Sequence, residues 1–159
     1  MIAKLVSGGQ TGADRAALEF ALAHDLPHGG WCPRGRRAED GPLPDRYRLR
    51  ETPSDNYAQR TEWNVRDSDG TVTFSLAPGI GGGSALTAEC AKRLGKPWLH
   101  LTPTDPEPDQ MLRDFVSTHR IARLNVAGPR ASEEPGVGDF VRAVLEAALD
   151  GGQRISEAG

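Results

Sequence analysis

Apolar and polar positions along this chain fall into blocks that switch between strand-like runs and helical spacing. Residues 2–7 (IAKLVS) form a short apolar run that ends on two glycines. From Ala13, apolar positions 13, 16, 17, 20 and 21 recur at helical period, so one face of a helix is set to pack on a sheet. A short strand is expected over 28–32, followed by a long polar loop with three prolines, PRGRRAEDGPLPDR. YRLRETP (47–53) reads as a third strand, and a helix is expected over 55–66 with Ser54 placed to cap it. The β-branched run TVTFSLAP (71–78) leads into GIGGGS and a helix over 84–94. A strand over 96–103, a helix over 106–119 and a last strand over 121–130 follow. Val137, Phe140, Val141, Val144, Leu145, Ala148 and Leu149 make the cleanest helical stripe in the chain.

This alternation predicts a mostly parallel sheet with helices on both faces, an α/β three-layer sandwich. One domain over 1–150 is expected, with a glycine-rich tail over 151–159 that frays. Ligands of such sheets bind beyond the carboxyl ends of the strands, where strand order reverses. Two stretches end a strand in glycines and begin a helix. In SGGQTGAD, Gly8, Gly9 and Gly12 allow close backbone approach, and the amides from Thr11 to Asp14 add to the helix dipole to favour an anion. Gln10 belongs to the same bend. Its spacing, G-G-x-x-G, is neither the dinucleotide fingerprint nor a Walker loop, which makes an ordinary ATPase a poor reading. A tight turn capped by Asp14 or Thr11 is the plainer alternative. In PGIGGGSALTAE, Gly81, Gly82 and Gly83 repeat the logic, with Ser84 and Thr87 as hydroxyl donors. Two such bends in one small sheet favour a phosphate-bearing ligand over coincidence.

Further donors are expected from the rest of the chain. Arg130 ends a strand in VAGPR, where a guanidinium suits a phosphate. Arg34 and Arg36 lie in the charged loop CPRGRRAEDG, either closing over an anion or simply solvated. Asn56, Arg60, Asn64 and Asp67 share a face of the 55–66 helix, for which solvent exposure is the commoner outcome. Trp63 reads as core or interface.

Composition narrows the partners. A net charge of -3 over 159 residues argues against non-specific nucleic-acid binding. No run approaches 18 apolar residues, so no membrane span is expected. Two cysteines, Cys32 and Cys90, fit reduced thiols of a cytoplasmic protein, and the chain is expected to lack a signal peptide. The four histidines have no metal-ligand spacing, so no metal held by side chains is expected.

Six stretches together carry a resemblance: SGGQTGADRAAL, GGWCPRGRRAEDGPLP, YRLRET, YAQRTEWNVRDSDGT, GGGSALTAE and LNVAGPR. They resemble the molybdenum carrier family, the circularly permuted YpsA-like proteins, over about residues 3 to 150. The resemblance implies a Rossmann-like fold and, as ligand, molybdenum cofactor or another nucleotide-like molecule. RTEWNVRDSDG and GGGSALTAE are also similar, more distantly, to the lysine-decarboxylase-like phosphoribohydrolases, which cleave the base from a nucleoside monophosphate. That likeness implies Arg60 and Glu89 as the catalytic pair, although Gly81, Ala85 and Leu86 stand where that segment has proline, glycine and threonine.

Three function classes follow. The first is a carrier that grips a pterin or nucleotide phosphate. The second is an N-glycosidic hydrolase, which needs Arg60 and Glu89 to converge on one ribose. The third is a nucleotide-sensing interaction module. The carrier is the favoured reading, with a homo-oligomer, a dimer or a tetramer, as its expected state.

Overall fold

The computed structural model describes residues 1–150; the tail expected over 151–159 lies outside the described residues. Five parallel strands form the main sheet: β1 (Lys4–Val6), β2 (His28–Gly29), β5 (Gly70–Phe74), β6 (Trp98–Leu101) and β7 (Arg123–Ala127). Their order is β2-β1-β7-β5-β6. Two short strands, β3 (Trp31–Cys32) and β4 (Arg50–Glu51), pair in a separate two-stranded sheet. The expected strand over 28–32 therefore breaks at Gly30 and serves both sheets. The expected third strand is trimmed to two residues and joins the smaller one.

Helices cover both faces. On one side α1 (Ala13–Ala23) packs against α5 (Val137–Leu145), which also meets α4 (Pro108–Thr118). On the other side α2 (Tyr57–Arg66) packs against α3 (Gly82–Arg93). The layers are unequal. The α1/α5 side carries the main core, including Leu5, Phe20, Val72, Phe74, Leu112, Leu124, Val141 and Leu145. The α2/α3 side holds only Val65, Cys90 and Ala91, with Leu86 and Leu94 against them. The stripe read from 137 onward is the helical face that fills the larger core, and it continues into a π-helical turn at Glu146–Asp150.

A third apolar cluster lies beneath the long loop: Leu18, Cys32, Ala38, Leu43, Tyr47 and Leu49. Arg36 organises that loop from within. Its guanidinium donates to the carbonyls of Leu43 (3.1 Å), Leu49 (3.3 Å), Pro44 (2.8 Å) and Tyr47 (2.7 Å). Ser54 does not cap α2. Asn56 does, its side chain accepting from the Ala58 amide at 2.8 Å. Among the described residues no helix is long and apolar enough to cross a membrane.

Candidate functional site

Every strand of the main sheet is parallel, so β1, β5 and β7 end on one edge. β7 is inserted between β1 and β5, and the chain winds outward from each of those two, to β2 and to β6. At the place where the winding reverses, a cleft opens between the β1–α1 bend, the end of β7 and the start of α3. Gly8, Gln10, Asp14, Arg60, Thr61, Asn64, Gly83, Ser84, Thr87, the 125–130 segment and Glu133 line it. The free space is about 60 Å³, room for several waters or one small oxyanion.

The lining mixes the carboxylates of Asp14 and Glu133 with donors, and the donors are left unpartnered. Gln10 shows why. Its Oε1 accepts from the amides of Thr11 (3.0 Å) and Glu39 (2.9 Å), which fixes the amide and leaves Nε2 buried with no partner. Arg60 gives Nη1 to Asp14 Oδ2 at 2.8 Å, yet its Nε is buried and unpartnered. Ser84, on the first turn of α3, is 5% exposed and its Oγ has no partner. Three residues of the lining thus each carry a buried polar atom with no hydrogen-bond partner. Each such orphan costs about 1–3 kcal/mol, so three around one space are a strong sign of a missing acceptor. The start of α3 adds its dipole.

Asp14 and Arg60 form a buried ion pair, their side chains 6% and 11% exposed. Burial pushes the Asp14 carboxyl above its ordinary value, and the attraction of Arg60 offsets only part of that. At the rim, Glu39 accepts from Thr11 Oγ1 and from Ser132 Oγ (2.6 Å) and amide (3.2 Å), bonds that hold its carboxyl below its ordinary value. Glu134 accepts from the amides of Leu76 (2.8 Å) and Ala77 (3.0 Å), tying the second glycine bend to the segment before α5.

Residues 5–149 match the model of the circularly permutated YpsA SLOG family. The chain belongs to that family. Among solved structures it is similar to the crystal structure of a "Putative molybdenum carrier protein" from Syntrophus aciditrophicus SB. The two share 45% identity with a TM-score of 0.90, over 93% of this chain and 95% of that one. No curated protein matches it.

Within this family member, the residues picked out from sequence divide. Gly8, Gln10, Asp14, Arg60, Asn64, Gly83, Ser84, Thr87 and Arg130 line the cleft. Thr87 gives its hydroxyl to the Gly83 carbonyl at 2.9 Å. Asn64 clamps the backbone of Trp31, accepting from its amide (2.7 Å) and donating to its carbonyl (3.0 Å). Gly9, Thr11 and Gly12 sit just behind the lining: the open side of Gly9 meets Leu43 and Leu49, and that of Gly12 meets the 129–131 backbone. Gly81 caps α3 and Gly82 begins it, both open to solvent. Arg34 is exposed on the outer side of the loop, and Arg36 is consumed by the loop carbonyls, so neither reaches the cleft.

The shared face of α2 divides as well. Arg60 and Asn64 are buried, Arg60 paired with Asp14 and Asn64 bonded to Trp31, whereas Asn56 is exposed. The pairing of Arg60 with Glu89 fails as well. Glu89 is exposed and outside the lining, since α3 turns Ser84, Thr87 and Ala91 inward and five residues from Ser84 carries Glu89 round the helix. Sequence reading missed Thr61, Asn125 and Glu133. Asn125 had a signal, a polar amide between the apolar Leu124 and Val126 of its strand. Among the described residues no group of three or more His, Cys, Asp or Glu is placed to hold a metal ion.

Proposed function

We propose that the protein is a carrier, or binding protein, that holds a nucleotide- or pterin-like molecule by its phosphate in the cleft between the two glycine bends. The observation that carries this reading is that Gln10, Arg60 and Ser84 line one cleft and each holds a polar atom, Nε2, Nε and Oγ, that is buried and unpartnered. A set made of donors suits an acceptor-rich oxyanion, and a helix N-terminus suits its charge. With about 60 Å³ available, the cleft takes the phosphate and leaves the ring system outside it. Molybdenum cofactor is the cargo to test first, given the name of the Syntrophus aciditrophicus relative. A carrier of that kind needs no acid–base pair, and the exposed position of Glu89 removes support from the hydrolase reading.

Thermal-shift titration with molybdenum cofactor and with nucleoside monophosphates tests the proposal. A saturable stabilisation by at least one of them is expected, and Gly83→Val, which places a side chain at the cleft wall, should remove it. No shift with any ligand, or the same shift in the variant, would overturn the reading. Release of free base during incubation would restore the hydrolase.

A further inference from the structure

Beside the cleft stands Tyr57, the first residue of α2, and three guanidinium groups surround its ring. Arg37, Arg60 and Arg130 lie 5.1, 5.2 and 5.4 Å from the ring centroid. Each contact is favourable by itself, but three like charges around one ring repel one another. Two are compensated: Arg60 by Asp14 at 2.8 Å, and Arg130 by Glu133 at 3.3 Å. Arg37 is exposed, and among the described residues no carboxylate pairs with it. Its guanidinium is held by the ring and by one bond from Nη1 to the Asp55 carbonyl at 3.1 Å. Arg60 and Arg130 also line the cleft, whereas Arg37 lies outside the lining and is joined to it through the Tyr57 ring that it shares with Arg130. The Tyr57 ring thus links two cationic residues of the lining, Arg60 and Arg130, to a third outside it, Arg37.

We infer that Tyr57 holds Arg37 and Arg130 as an outer anion subsite, so that the cleft takes a ligand with two linked phosphoryl groups, a diphosphate ester rather than a monophosphate. This rests on the proposed phosphate grip and specifies its ligand class. The inner cleft has room for one oxyanion, and a second phosphoryl group joined to it must lie outside, within reach of Arg130 and of the uncompensated Arg37 that shares its ring. The ring acts as a platform and its hydroxyl is not needed, so Tyr57→Phe keeps the subsite and Tyr57→Leu loses it.

Calorimetric titration with inorganic phosphate and with pyrophosphate reads the two subsites separately. Wild type should bind pyrophosphate at least about tenfold tighter than phosphate, as one added charge-assisted contact allows. Arg37→Ala should abolish most of that preference and leave phosphate affinity unchanged, and Tyr57→Leu should abolish it while also weakening phosphate, because the ring braces Arg60 as well. Tyr57→Phe should retain the preference, as should Arg142→Ala, which removes an equal charge on α5. If pyrophosphate binds no better than phosphate, or Arg142→Ala matches Arg37→Ala, the outer subsite is wrong while the inner grip stands. If neither ion binds, both fail.

Discussion

The two glycine bends stand on the same edge of one sheet and have opposite surroundings. In the first, every glycine is filled by the protein itself. The bare face of Gly8 is covered by the Arg60 guanidinium, that of Gly9 by Leu43 and Leu49, and that of Gly12 by the backbone of 129–131. In the second, a Cβ on Gly79, Gly81, Gly82 or Gly83 would meet nothing within 4 Å. The same residue type thus does two jobs. The first bend uses glycine to let Arg60, the long loop and the segment after β7 close down on it, which is how the donors come to be fixed. The second leaves space beside a helix N-terminus, where an outside molecule can come close to backbone. A glycine-rich sequence alone does not say which of these it is.

Mutations separate the bends. The largest effect is expected for Gly12→Val, since φ is +79° there and the new side chain would run into backbone at Pro129 and Ala131. A loss of about 4 kcal/mol, or failure to fold, should appear in urea denaturation. Gly83→Val should leave stability within about 1 kcal/mol of wild type and still abolish ligand binding, because its space is open. If both variants lose stability equally, the contrast between the bends is wrong.

A smaller effect is expected at Ser84. Ser84→Ala deletes a buried hydroxyl that has no partner, so the empty protein should be no less stable. Phosphate affinity should nonetheless fall about tenfold, one hydrogen bond to a charged group. A clear drop in melting temperature without ligand would mean that the hydroxyl is already satisfied.

The smallest effect concerns pH. Because burial raises Asp14, it takes up a proton on acidification sooner than an ordinary aspartate and releases Arg60 from its counter-charge. Sulfate, which stays a dianion through this range, should therefore bind several-fold tighter as pH falls. Glu133 also lines the cleft, so the comparison is with Asp14→Asn: that variant should lose the part of the pH response owed to Asp14. An identical pH response in the variant would remove Asp14 from the account of the effect.

Most of the fold was legible because it depends on local periodicity. The stripe from 137 onward and the apolar runs of β5 and β7 each encode one buried face, and the family membership and the relative with a TM-score of 0.90 agree with the α/β reading. Where long-range pairing decides, the sequence said less. Residues 47–53 have a strand's composition, but their partner is β3, beyond the edge of the main sheet. The same holds at the cleft. Gln10 and Ser84 could be named from their bends, whereas the role of Arg36 depends on a loop that folds back to offer it four carbonyls. Helical spacing could place Arg60, Asn64 and Glu89 on their faces, but not say which face the sheet would cover.

The central claim is that Gln10, Arg60 and Ser84 await an oxyanion between the two bends. A crystal soaked in selenate, a tetrahedral oxyanion with a usable anomalous signal, tests it most directly. The account predicts an anomalous peak within hydrogen-bond distance of Gln10 Nε2, Arg60 Nε and Ser84 Oγ together. Anomalous peaks elsewhere on the molecule, with that cleft holding only water, would contradict it.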